Sequence, residues 1–109
     1  MASLDDLLAL DLRVGTVVSA HRHPTARTPA FVLALDFGAL GTRVSSAQLT
    51  DRYTEEGLVG RRVVCALGLP PRRVAGVVSE CLVLAAVPEA GGGAVLLGVA
   101  DVPAGSPVR

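Results

Sequence analysis

Aromatic side chains are nearly missing from this chain: no tryptophan, one tyrosine and two phenylalanines in 109 residues. The core must therefore be filled by Val, Leu and Ala, which the 50% hydrophobic content supplies. Lysine is absent too, so all ten basic residues are Arg, and ten acidic residues balance them. Zero net charge is not the profile of a dedicated nucleic-acid binder, whose affinity rests on many phosphate contacts; it leaves room for a local patch of modest affinity. The two cysteines, Cys65 and Cys81, do not make a disulfide framework. Each lies in an apolar run, where a buried thiol in a reducing compartment should react slowly. No apolar run reaches the ~20 residues of a membrane span. The N-terminus lacks a basic segment followed by an apolar one, so a cytoplasmic protein without membrane insertion is expected. High hydrophobicity without net charge excludes a disordered chain.

What is present reads as one small domain, residues 1–109. Ser3 and Asp6 fit a capping box that opens a short helix with Leu4, Leu7 and Leu8 on one face. Such a helix is too short to stand alone and needs a surface to dock on. From Leu12 the period changes to two, with Leu12, Val14, Thr16 and Val18 alternating against Arg13, Gly15, Val17 and Ser19. A loop follows at His23–Pro29. Phe31, Leu33, Leu35 and Phe37 share one face of a second strand, Gly38 and Gly41 bracket a turn, and Thr42 to Gln48 is a third strand. Thr54-Glu55-Glu56 caps a helical turn ended by Gly57. Arg62 to Leu69 is a fourth strand, stopped by Pro70-Pro71. A link from Arg72 to Val78 leads into a fifth strand, Glu80 to Val87. Gly91-Gly92-Gly93 turns the chain into a sixth, Ala94 to Val99, and Pro103-Ala104-Gly105 forms the last turn. Short strands at this turn-punctuated spacing indicate an all-β barrel.

The sequence offers little catalytic chemistry. His21 and His23 could begin a metal site, but zinc needs further ligands at defined spacing, and two solvated histidines at a loop edge are the simpler reading. Ser45 and Ser46 have no evident base, and Asp11 and Asp36 are isolated. The glycines do not form a phosphate-binding loop of the Walker type. No catalytic residue, metal or cofactor is expected. Two polar segments remain: the hydroxyl- and amide-rich Thr42–Gln48, and Pro70–Glu80, where two adjacent Arg precede a glycine-containing bend.

Four blocks together carry a resemblance. Leu10–Val17, His23–Arg27, Ser45-Ser46-Ala47-Gln48 and Pro71–Leu84 stand in the order, and span nearly the length, of the tRNA-binding-domain family. That family includes appendages of methionyl- and phenylalanyl-tRNA synthetases as well as free-standing tRNA-binding proteins. Ala75 stands where the family often has a basic residue, and Cys81-Leu82 replaces a Gly-Met pair. Ser45–Gln48 and Ala26–Ala30 are more similar to the CsaA branch, export-related chaperones that bind unfolded or precursor polypeptides. The resemblance implies a five-stranded Greek-key OB-fold with a short N-terminal helix and extra C-terminal strands, assembled as a homodimer. It also implies that Arg43, Ser46, Gln48, Arg73, Gly76 and Ser79 border the binding surface. Its partner is then an unfolded polypeptide, or alternatively tRNA. For tRNA, Arg43, Arg72 and Arg73 are the expected positive charges. Phe31 and Phe37 belong to the core, which leaves Tyr53 as the one candidate stacking platform.

Overall fold

The computed structural model describes residues 1–109. Its elements are α1 (Leu4–Ala9), β1 (Leu12–Arg22), β2 (Phe31–Asp36), β3 (Thr42–Ala47), α2 (Glu55–Leu58), β4 (Arg62–Ala66), β5 (Arg72–Val74), β6 (Val77–Ser79), β7 (Leu82–Val83), β8 (Ala85–Ala86) and β9 (Val95–Leu96). Five strands form one antiparallel sheet in the order β3-β2-β1-β4-β7. The sheet curls until its outer edges approach, giving the nearly closed barrel of an OB-fold.

Closure between β3 and the chain around β7 is made by mixed side-chain and backbone bonds. The Glu80 amide donates to the Val44 carbonyl at 2.7 Å, and its carboxylate accepts from the Val44 amide at 2.9 Å. The Ser46 amide donates to the Ser79 hydroxyl at 3.0 Å. The hydroxyls of Ser45 and Ser79 both donate to the Cys81 carbonyl, at 2.9 and 3.2 Å. Serine and glutamate oxygens thus stand in for ladder partners that two edge strands would otherwise lack.

The alternation expected on β2 is present: Phe31, Leu33, Leu35 and Phe37 are all buried, in one cluster with Val17, Leu58, Val63, Cys65 and Cys81. On β1 the expected apolar face is corrected. The ladder to β2 slips between Val17 and Ser19, so Val18 is an extra residue that bulges outward and stays exposed. Gly15 and Val17 face the interior instead. A Cβ on Gly15 would sit 2.6 Å from the Phe37 ring, so glycine leaves the room that ring occupies. Val14 is also buried, but beneath the C-terminal segment: its amide donates to the Ser106 carbonyl at 2.9 Å and its carbonyl accepts from Gly105 at 2.7 Å.

Other expectations shift as well. The helical turn at α2 runs through Gly57 to Leu58, and the chain reverses at Gly60, with φ of 91°. The fifth strand is broken into β7 and β8, and the sixth shrinks to Val95–Leu96. The capping box at α1 is formed, with the Ser3 amide 2.8 Å from the Asp6 carboxylate and the Asp6 amide 3.2 Å from the Ser3 hydroxyl. Yet no residue of α1 is buried; Leu4, Leu7 and Leu8 all stay exposed beside Leu12, Pro107 and Val108. No helix is long and apolar enough to cross a membrane.

Cys65 and Cys81 are free and buried. A hydrogen bond with Cys81, and after it burial, push the Cys65 thiol well above its ordinary range.

Candidate functional site

The segment expected to be a plain link is a hairpin. Arg72, Arg73 and Val74 pair with Ser79, Val78 and Val77, and the two-residue turn is Ala75-Gly76. Both turn residues have positive φ, 46° and 88°, as the tight turn with matching twist requires. Gly76 adopts this freely, whereas Ala75 bears a steric cost of about 1 kcal/mol. Ala-Gly lacks the Asn-Gly or Asp-Gly signature of such turns, which is why the sequence pattern hides it.

Facing the hairpin is the loop between β1 and β2. His23, expected to be solvated, is buried and organises that loop. Its Nδ1 accepts from the amides of Thr25 and Ala26, both at 3.1 Å, so the ring proton sits on Nε2, which lies 2.8 Å from the Val74 carbonyl. The Thr25 hydroxyl donates to the Ala75 carbonyl at 3.1 Å.

Between loop and hairpin runs a groove of about 730 Å³. One wall is Ala26, Arg27, Thr28 and Ala30; the floor is Ser46–Leu49; the other wall is Arg72, Val74, Ala75 and Leu82–Ala85, with Val87 and Ala94 at the end. Of its 17 lining residues 12 are hydrophobic, and the charged ones are Arg27 and Arg72, with no acid among them. The groove continues past Ser46, Arg72 and Leu82 into a second hollow of about 370 Å³, lined also by Leu69, Pro70, Pro71, Ser79 and Cys81.

The residues expected at the binding surface are only partly brought together. Ser46, Gln48 and Arg72 line the groove, and Ser79 lines the second hollow, although its buried hydroxyl is committed to Ser46 and Cys81. Arg43, Arg73 and Gly76 line neither hollow. Arg73 follows Arg72 on a strand and so points to the opposite face. Gly76 serves the turn. Arg27 and Leu82 are groove residues that the sequence reading passed over, though both lie in the blocks that carry the resemblance. Tyr53 is no free platform: its hydroxyl accepts from the Leu96 amide at 3.0 Å, its ring packs on the core, and the Arg61 guanidinium lies 5.1 Å from the ring centre. Phe31 and Phe37 are wholly buried, as expected.

Residues 12–107 match the family described as a putative tRNA binding domain. The chain is 36% identical over 107 residues to the methionine–tRNA ligase of Porphyromonas gingivalis, covering 98% of this chain and 15% of that enzyme. The corresponding ligase of Methanocaldococcus jannaschii is 36% identical over 100 residues, again with 15% of its length covered. The chain therefore spans only a small fraction of these curated relatives. Among solved structures, the chaperone CsaA of Bacillus anthracis is 49% identical, with a TM-score of 0.92 over 100% of this chain and 99% of that one. The CsaA chaperone of Picrophilus torridus is 30% identical, with a TM-score of 0.93 and complete coverage of both chains.

Proposed function

Since the chain belongs to the putative tRNA-binding domain family, we propose that it works on the CsaA plan, as a non-catalytic cytoplasmic chaperone of protein export that holds unfolded or precursor polypeptides in the groove between the β1–β2 loop and the β5–β6 hairpin. The observation that carries this reading is the lining. The groove is largely apolar, with Ser46 and Gln48 on its floor and no exposed ring. An extended polypeptide asks for apolar pockets and a few backbone hydrogen-bond partners. Single-stranded nucleic acid asks for stacking platforms, and all three aromatic residues are occupied in or against the core. Arg27 and Arg72, on opposite walls, are what favours tRNA as the second reading.

Competition separates the two. Labelled tRNA and a reduced, carboxymethylated polypeptide are titrated against the purified protein across a salt series. The polypeptide should displace tRNA, and its affinity should hardly change with salt. The tRNA affinity should fall with a logarithmic slope of about −0.7 to −0.9 per phosphate neutralised. A polypeptide that fails to displace tRNA at physiological salt would transfer the function to the second reading.

The working unit is a homodimer in this proposal. The exposed leucines of α1 and the exposed Val95 and Leu97 form apolar surface that the protomer leaves uncovered. Burial stabilises by roughly 25 cal/mol per Å², and a two-fold interface lets one such patch cover its own copy. Light scattering should report twice the chain mass. The double variant Leu4→Glu/Leu8→Glu should run at the mass of one chain with its circular dichroism intact, since neither side chain is buried. A wild-type monomer at micromolar concentration contradicts the proposal.

A further inference from the structure

Nothing in the groove's lining explains what holds its two walls apart at a fixed width. The walls belong to different parts of the barrel: the loop after β1 carries Ala26, Arg27 and Thr28, and the hairpin carries Arg72, Val74 and Ala75. The loop is closed on itself by the His23 amide, which donates to the Ala30 carbonyl at 2.9 Å. Two side-chain bonds then cross to the hairpin: His23 Nε2 to the Val74 carbonyl at 2.8 Å, and the Thr25 hydroxyl to the Ala75 carbonyl at 3.1 Å. His23 is only 8% exposed and is not part of the groove lining. It uses both nitrogens, one to shape the loop and one to tie it to the hairpin.

We propose that His23 is a positioning residue for ligand binding: its Nε2–H bond to Val74 fixes the loop bearing Arg27 against the hairpin bearing Arg72, and so sets the width of the groove. The inference rests on the groove being the ligand site. The hairpin is anchored to β3 at its open end, where the Ser46 amide meets Ser79, and its turn end is where a second tie acts. It is three residues long on each side, its turn places Ala75 in the left-handed region, and a two-stranded ribbon is only marginally stable by itself. Its carbonyls at Val74 and Ala75 are the points where the loop takes hold.

The two jobs of the ring can be separated by amide side chains. The oxygen of an asparagine falls near the position of Nδ1, and the nitrogen of a glutamine near that of Nε2. His23→Asn keeps the acceptor for the Thr25 and Ala26 amides and loses the donor to Val74. His23→Gln keeps the donor. Binding of a reduced, carboxymethylated polypeptide is measured for wild type, His23→Asn, His23→Gln and Leu82→Asp, together with amide hydrogen exchange of the hairpin in the absence of ligand. His23→Asn should bind about tenfold more weakly, the equivalent of one buried hydrogen bond, and its Val74–Val77 amides should exchange faster. His23→Gln should recover most of both. A merely structural histidine would show the two variants equally impaired, or impaired only in thermal midpoint, and that result overturns the proposal. Leu82→Asp tells the two failures apart. If it loses binding while His23→Asn binds as wild type, the positioning role is wrong and the groove stands. If Leu82→Asp binds as wild type, the groove itself is misplaced and the inference falls with it.

Discussion

Gly68→Ala should cost about 2–3 kcal/mol of stability and lower the thermal midpoint by roughly 10–20 °C. Gly68 lies just beyond β4, where the chain leaving α1 crosses over it. The Gly68 amide donates to the Leu10 carbonyl at 2.8 Å, and the Leu67 amide to the Asp11 carbonyl at 3.1 Å. A Cβ at Gly68 would fall inside the Ala9 carbonyl oxygen and 2.9 Å from the Leu10 carbonyl carbon. Both are backbone atoms, so no rotamer change relieves the clash; α1 must lift away from the end of β4. The same methyl at Gly98 meets nothing nearer than 3.8 Å and should be close to neutral, which makes Gly98→Ala the control. Because α1 carries the exposed leucines of the proposed dimer contact, Gly68→Ala should also weaken self-association. Thermal unfolding with light scattering on both variants checks the argument. Equal midpoints for the two would show that α1 is not held in place by its crossing over β4.

The second large effect is on binding. Leu82 lies at the junction of the two hollows, half exposed, and pairs through β7 with Ala66 on β4. A carboxylate there keeps the ladder and can reach water in the free protein, so Leu82→Asp should fold. In a complex the carboxylate would lose water to an apolar ligand segment, and an unpaired buried charge is expensive. Polypeptide affinity should fall at least tenfold, an effect of ~1.4 kcal/mol or more. For tRNA the same substitution also places a negative charge beside Arg72, so phosphate binding should fall too. Val78→Asp, on the exposed outer side of β6, should leave both ligands unaffected. A wild-type affinity for Leu82→Asp would remove the groove from the account.

How far the sequence reaches depends on which physical constraint governs each element. The barrel strands follow burial, and burial leaves a period: Phe31, Leu33, Leu35 and Phe37 read inward from the pattern alone. The α1 cap is local chemistry between Ser3 and Asp6, equally legible. What escapes is set by partners distant in the chain. The bulge at Val18 depends on the register with β2, and across it the inward positions of β1 pass from Gly15 and Val17 to Ala20. The hairpin at Ala75-Gly76 has a turn that its residue types disguise, and its turn end is tied to His23 and Thr25, some fifty positions earlier. His23 itself illustrates the limit. A histidine next to a proline in a polar loop looks solvated until the carbonyl of Val74 is known to lie 2.8 Å away. The site is legible to the same degree. Ser46 and Gln48, which the resemblance implies, line the groove, and so does Arg72, named for its charge alone; Arg43 and Arg73, named on both grounds, lie outside its lining. Charge says that a patch is affordable, and only the fold says which side of a strand presents it.

The central claim is that an unfolded polypeptide occupies the groove between the β1–β2 loop and the β5–β6 hairpin. Its most direct test is a map of backbone amide chemical shifts in the isotope-labelled protein during titration with a reduced, carboxymethylated polypeptide. The account predicts that shifts concentrate at Ala26–Ala30, Ser46–Leu49, Arg72–Ala75 and Leu82–Val87, while α1 and the Gly38–Leu40 turn remain still. Shifts confined to α1 and the C-terminal segment, with the groove residues unmoved at saturation, would contradict it.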